Sequence, residues 1–289
     1  MQIITNPKEL SSLSSQWRGS GLQVALVPTM GYFHQGHLGL MRAAKNRAGK
    51  VIVSLFVNPS QFAPGEDLQS YPRDPERDAA LAAEVGVDVL FCPAPEDIYP
   101  PSYATWVEVP TLASGLCGLS RPQHFRGVCT VVLKLLNLAT PNLAVFGEKD
   151  WQQLAIIRRM VLDLNLDVEI VGQPITREAD GLAMSSRNAY LLPEERAQAP
   201  GIRQGLLAVR DLVAAGECAS AVHIEVMCNF LHKNVPSGVP DYIAVVDPYS
   251  LETLGKIEKT ALMAVAVKLG KARLIDNILL DINNAGSAG

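Results

Sequence analysis

The chain has 289 residues, 48% of them hydrophobic, enough for one large domain or two ordinary ones. Its net charge of −4 and the absence of any basic block speak against long contacts with a nucleic-acid backbone. No apolar run reaches the length of a membrane span, residues 1–17 lack a signal-peptide core, and the five cysteines form no C-x-x-C pair, so we expect a soluble, cytoplasmic protein with free thiols and no membrane or nucleic-acid partner.

The first clear element is the apolar run 22–27, which reads as a buried strand, and 38–45 reads as a helix. Between them lies Met30-Gly31-Tyr32-Phe33-His34-Gln35-Gly36-His37. Two imidazoles where a strand hands over to a helix, beside unsatisfied amides and the positive end of the helix dipole, suit phosphate. Neither G-x-G-x-x-G nor G-x-x-x-x-G-K-[ST] occurs here, so a histidine-based site fits better than a Rossmann or phosphate-loop site. The next strand, 51–57, stops at Asn58-Pro59-Ser60-Gln61, because proline cannot donate to a ladder. A polar loop, a helix at 76–85 and a strand at 87–91 follow, and 93–110 reads as irregular. Then come an apolar helix at 128–138, a strand at 143–146, a helix at 151–164 and a strand at 168–171.

Alternating helices and near-continuously apolar strands imply a doubly wound α/β fold with a parallel sheet, of Rossmann-like type. Ligands of such sheets sit beyond the strand C-termini at the switch in strand order. That rule gathers 30–37, 58–61 and 147–153 into one expected crevice. From Arg177 the pattern changes to a polar loop, helices at 193–215 and 219–233, and strands at 242–246 and 262–267. We therefore place a domain boundary at Thr176, with 1–176 as the α/β domain and 177–289 as a smaller α+β domain. The small, polar tail 283–289 reads as a frayed terminus, the alternative being a linker to a further domain.

In Gly147-Glu148-Lys149-Asp150, Lys149 can hold a phosphate and Asp150 can accept from a ribose hydroxyl; N-capping explains Asp150 equally well. Met184-Ser185-Ser186-Arg187 offers hydroxyls, amides and a planar fork for pyrophosphate, or is a solvated turn, and Gly181 suits a mobile loop. Gln61 and Gln153 are neutral amides suited to a small hydroxy acid. Cys117, His124 and Cys129 match no zinc spacing, and no metal-ligand set is assigned. Acid–base groups are sparse, as suits transfer driven by positioning and charge stabilisation.

Taken together these stretches closely resemble the pantothenate synthetase (pantoate–β-alanine ligase) family. The resemblance rests on Pro28–Gly31 with His34–His37, Phe56–Phe62, Gly65–Asp67 with Tyr71–Arg73, Arg121–Gly127, Phe146–Gln153, Arg177–Asn188 and, near the end, Arg273-Leu274-Ile275-Asp276-Asn277. It implies condensation of (R)-pantoate with β-alanine, driven by ATP through a pantoyl-adenylate, giving pantothenate, AMP and pyrophosphate, with Mg²⁺ on the phosphates and a homodimeric enzyme. By the same resemblance His34, His37, Lys149, Ser185, Ser186 and Arg187 attend the phosphates, with His37 as proton donor. Gly147, Asp150 and the backbone near Thr176 attend the nucleoside, and Gln61 and Gln153, with Asn58 beside them, hold pantoate. Closure of 184–187 would shield the adenylate from water. Tyr32, Phe33 and Gln35 depart from the family's usual Ala-Leu and Glu, which alters packing and removes an acid beside the phosphates. Three rivals stay open at this point: a nucleotidyltransferase acting on another small molecule, an aminoacyl-tRNA-synthetase-like protein and a nucleotide-binding regulator.

Overall fold

Strands flanked by apolar residues on both faces need helices over both faces, and the chain supplies them by alternation. The computed structural model describes residues 1–63 and 65–282. The strands are β1 Gln2–Ile4, β2 Val24–Thr29, β3 Lys50–Leu55, β4 Val89–Phe91, β5 Leu143–Gly147, β6 Glu169–Gln173, β7 Gly238–Val246, β8 Thr260–Leu269 and β9 Ala272–Asp281. The helices are α1 Pro7–Gly19, α2 Gln35–Lys45, α3 Pro75–Val85, α4 Pro95–Ile98, α5 Pro110–Ala113, α6 Cys117–Ser120, α7 His124–Ala139, α8 Trp151–Asp163, α9 Pro193–Gln198, α10 Gly201–Ala214 and α11 Ser220–Asn234.

The chain divides into two units. The first takes in Met1–Ser114, Arg121–Glu148 and Ile156–Pro174; the second takes in Gly115–Ser120, Lys149–Ala155 and the residues from Ile175 on. In the first unit six strands run in the order β1-β4-β3-β2-β5-β6, every pair parallel. The chain runs outward from β2 through β3 to β4, and then from β5 to β6 on the other side, so strand order reverses between β2 and β5. β2 is buried over nearly its whole length, and Val27, Phe33, Met41 and Val53 share one core cluster. In the second unit β7, β8 and β9 form an antiparallel meander. Ile202, Leu206 and Val209 of α10, Met227 and Leu231 of α11, and Met263, Val265 and Val267 of β8 lie in its core.

Four features go beyond or depart from the sequence-based expectation. In the stretch 1–17, which reads only as polar, β1 is a three-residue edge strand too short to show a period. Along α1 Leu10 and Ser14 are the buried residues, and the Ser14 hydroxyl donates to the Ala139 carbonyl. The expected helix 193–215 breaks at Ala199-Pro200, since proline lacks the N–H a continuous helix needs. β9 escaped notice because Arg273, Asp276 and Asn277 interrupt its apolar pattern. The tail 283–289 lies outside the described residues.

Candidate active site

β2 lies between β3 and β5, so the segments that follow these three strands leave one edge of the sheet, at the reversal of strand order. After β2, Gly31 and Tyr32 both adopt left-handed backbone, at φ +86° and +54°. This turn aims two consecutive amides at α3: Tyr32 N–H donates to Asp78 Oδ2 and Phe33 N–H to Asp78 Oδ1, each at 2.6 Å. A Cβ on Gly31 would stand 3.0 Å from Asp78 Oδ2, which explains glycine there. Asp78 is 1% exposed; burial pushes its carboxyl above the usual range, while the Phe33 and Tyr32 amides and Arg77 oppose the rise. Phe33 is fully buried, with its ring centroid 5.5 Å from that of His37, and the Arg77 guanidinium lies over the Tyr32 ring. These departures from the family's usual residues are thus absorbed by packing. Gln35 is exposed and accepts from Arg42.

The two histidines are not both on a loop, as the sequence suggested. His34 is the N-cap of α2 and His37 sits in its first turn. His34 Nδ1 accepts from Gly36 N–H at 3.1 Å, and His37 Nδ1 accepts from His34 N–H at 3.3 Å. An imidazole nitrogen here does the work usually given to a serine or aspartate oxygen. Because each Nδ1 accepts, the network assigns the proton of both neutral rings to Nε2. The result is a pair of Nε2–H donors, ring centroids 4.1 Å apart, at a helix N-terminus.

After β3, Asn58 and Gln61 frame the one-turn helix Pro59–Gln61 and are buried, not exposed loop residues. Asn58 Nδ2 donates to Gln61 Oε1 and to Gly127 O, both at 3.1 Å, and Asn58 Oδ1 accepts from Ser60 Oγ and Tyr99 OH, both at 2.9 Å. Asn58 thus orients Gln61, whose Nε2 lies 3.0 Å from Met30 Sδ. α7 starts four residues earlier than expected and crosses this turn so closely that a Cβ on Gly127 would meet Ser60 O at 2.5 Å. His124 Nδ1 lies 2.9 Å from Gln61 O, and Arg121 forks onto Glu66 at 2.8 and 2.7 Å. Burial alone would raise the Glu66 carboxyl, but the Arg121 hydrogen bonds and charge hold it below the usual range. Gly147 ends β5, and Glu148 closes this part of the first unit.

Lys149 and Asp150 lie in the second unit, in a tight turn before α8 rather than in the helix. Burial pushes the Lys149 ammonium below the ordinary lysine range; Asp150 opposes this, Arg187 adds to it and Asp276 opposes it. On α8 the adjacent glutamines differ. Gln152 is buried, donating to Gly115 O at 2.8 Å and accepting from Cys117 N–H at 3.0 Å, whereas Gln153 is partly exposed. Thr176 O accepts from Met184 N–H at 3.0 Å, closing the base of a hairpin whose turn is Asp180-Gly181. That hairpin is braced rather than loose: Arg196 reaches both Asp180 and Glu178 at 2.6 Å, and Asn188 Nδ2 donates to Glu178 at 2.8 Å. Ser185 then caps the one-turn helix Ser186–Tyr190, its Oγ accepting from Arg187 N–H at 3.3 Å.

So His34 with His37, and Asn58 with Gln61 and Met30, are brought together in the first unit; Lys149, Asp150, Gln153, Thr176 and Met184–Arg187 belong to the second. The sequence reading missed Asp78, whose signal is an acid on the apolar stripe that Ala82 continues one turn later. It also missed Tyr99, which lies in the segment expected to be irregular.

The family model described as pantoate-beta-alanine ligase matches residues 2–279. The chain belongs to that family. Among its relatives, a pantothenate synthetase of Nitratidesulfovibrio vulgaris (strain DSM 19637 / Miyazaki F) is 59% identical over 97% of this chain and 99% of its own length. One from Oleidesulfovibrio alaskensis is 58% identical over 97% and 100%. The solved pantothenate synthetase of Thermus thermophilus superposes with a TM-score of 0.90 at 45% identity, covering 98% of this chain and 99% of that one. A Francisella tularensis pantoate-beta-alanine ligase, solved with beta-gamma ATP and beta-alanine, gives 0.78 at 34% identity, covering 96% and 97%. Membership of the pantoate-beta-alanine ligases therefore extends across both units.

Proposed function

We infer that the chain is an AMP-forming ligase that condenses (R)-pantoate with β-alanine at the expense of ATP. The observation that carries this is the family match over residues 2–279. In the first step a pantoate carboxylate oxygen attacks the α-phosphorus of ATP; the bond to the β,γ-pyrophosphate breaks and pantoyl-adenylate forms. In the second, the β-alanine amine attacks the acyl carbon, AMP leaves with the bonding electrons, and the amine gives up its proton.

We assign residues as follows. The Nε2–H groups of His34 and His37 stabilise negative charge on the departing pyrophosphate, with the α2 N-terminus and the backbone of Met30–Gly36 behind them. His37 donates a hydrogen bond from Nε2–H to the departing pyrophosphate; its Nδ1, occupied by the His34 N–H, leaves Nε2 as the donating atom. Lys149, Ser185, Ser186 and Arg187 hold phosphate oxygens, with Met184 leading into that segment. Gly147, Glu148, Asp150 and the backbone of Thr176 receive the nucleoside. Gln61 and Gln153 hold pantoate, and Asn58 orients Gln61. Neutral amides suit this role because they fix the carboxylate without quenching its nucleophilicity.

Among the described residues no group of three or more His, Cys, Asp or Glu is arranged to hold a metal ion. Mg²⁺ characteristically keeps waters and rides on substrate phosphates, so we place it with the triphosphate as part of the substrate and route no step through it. We also propose a cytoplasmic homodimer; sedimentation of the purified chain tests the dimer. Pyrophosphate exchange into ATP that requires pantoate but not β-alanine supports the adenylate. Exchange indifferent to pantoate would favour a nucleotidyltransferase acting on another molecule.

A further inference from the structure

The motif Arg273-Leu274-Ile275-Asp276-Asn277 has no part in the assignments above, yet two of its polar residues are deeply buried: Asp276 is 4% and Asn277 6% exposed. Buried polar side chains in a strand need partners, and theirs are specific. Asp276 receives a two-pronged hydrogen bond from Arg177, at 2.7 and 2.8 Å, and its Oδ1 also accepts from Asn277 N–H at 2.8 Å. Arg177 in turn donates to Gly181 O at 3.1 Å, across the hairpin that leads into Ser185–Arg187. Asn277 Nδ2 donates to the main-chain carbonyl of Lys149 at 3.0 Å. Two consecutive residues of β9 therefore grip two segments that are far apart in sequence, the turn bearing Lys149 and the hairpin leading to Ser185–Arg187. All of these residues lie in the second unit.

We propose that Asn277, with Asp276 beside it, is a positioning residue for adenylate formation, holding the Lys149 main chain in register with the root of the 177–187 segment. This rests on the reading that Lys149 and Ser185–Arg187 hold the phosphates. Neither Asp276 nor Asn277 touches substrate in this account; they act through the residues they hold. A misplacement of about 1 Å at such a group costs up to about 10²-fold in rate.

The test is pantoate-dependent ATP–pyrophosphate exchange by the full chain and by Asn277→Asp and Asn277→Ala. Both substitutions remove the donor, and Asn277→Asp keeps the size. In both variants kcat should fall about tenfold or more, with KM for pantoate unchanged and the loss exceeding any loss of folded protein measured by circular dichroism on the same samples. Should Asn277→Asp fail to fold, Asn277→Ala carries the test. Parental kcat in a folded variant, or a loss that only tracks the unfolded fraction, would overturn the proposal while leaving the ligase reading intact. Absence of exchange in the parental chain would overturn the ligase reading itself.

Discussion

The segment 30–37 and the segment 177–188 both present groups proposed to hold phosphate, but they are built on opposite principles. The first is fixed by main-chain amides that converge on one buried carboxylate, Asp78, and by a helix cap made of its own two histidines. The second is fixed by guanidinium–carboxylate pairs, Arg196 with Glu178 and Asp180, on a partly exposed hairpin. A buried amide-to-carboxylate anchor resists salt and solvent; exposed ion pairs are weak and screened. One segment is thus anchored on a buried carboxylate, the other by ion pairs near its surface and by the Arg177–Asp276 pair at its root.

The largest expected effect is at the buried carboxylate. Asp78→Ala leaves one buried and one half-buried N–H, of Phe33 and Tyr32, without an acceptor, at roughly 1–3 kcal/mol for the buried one and less for the other. Urea denaturation should show a loss of that size, and exchange activity should fall with it. A variant as stable as the parent would erase the contrast between the two segments. Next come the histidines: His34→Ala or His37→Ala should slow adenylate formation by about 10²-fold. Contrary to a loop placement, each should also cost about 1 kcal/mol of stability through the lost cap. Rapid-quench measurement of adenylate and a melting curve read these separately, and a near-normal rate would remove the histidines from the mechanism.

Gln153→Ala should raise KM for pantoate about tenfold, as loss of a hydrogen bond to a charged group does, and leave ATP affinity unchanged. The reverse pattern would show that the glutamine serves the nucleotide. The smallest effect separates the segments by pH. Asp78 has a raised carboxyl, so its contribution to stability is full below the unfolded value near 3.8 and is lost as pH rises through the folded value. Asp180 is held below 3.8 chiefly by its hydrogen bond from Arg196, so its contribution is full above 3.8 and is lost as pH falls through the folded value. Acidification should therefore reduce amide exchange protection in 177–188 before it does so in 30–37. Equal loss in both would contradict the two modes of anchoring.

The parallel sheet was legible because β2, β3 and β5 are apolar on both faces. The family was legible because His34, His37, Lys149 and Ser185–Arg187 stand in short, recognisable strings. What holds those strings was not legible. Asp78 lies more than forty residues from the amides it anchors, as its bonds to Tyr32 and Phe33 show. Asn277 lies far in sequence from the Lys149 carbonyl it meets, inside a strand whose polar residues hid its period. Gln152 and Gln153 are indistinguishable as letters; only the helix start decides which is buried. Sequence pattern records local periodicity, while anchors made across the fold leave a single polar letter on an apolar face.

Product stoichiometry decides the reaction. The purified chain, given ATP, pantoate and β-alanine, should form pantothenate, AMP and pyrophosphate in equal amounts, with no AMP when pantoate is withheld. Release of ADP and phosphate, or AMP formation that ignores pantoate, would contradict it.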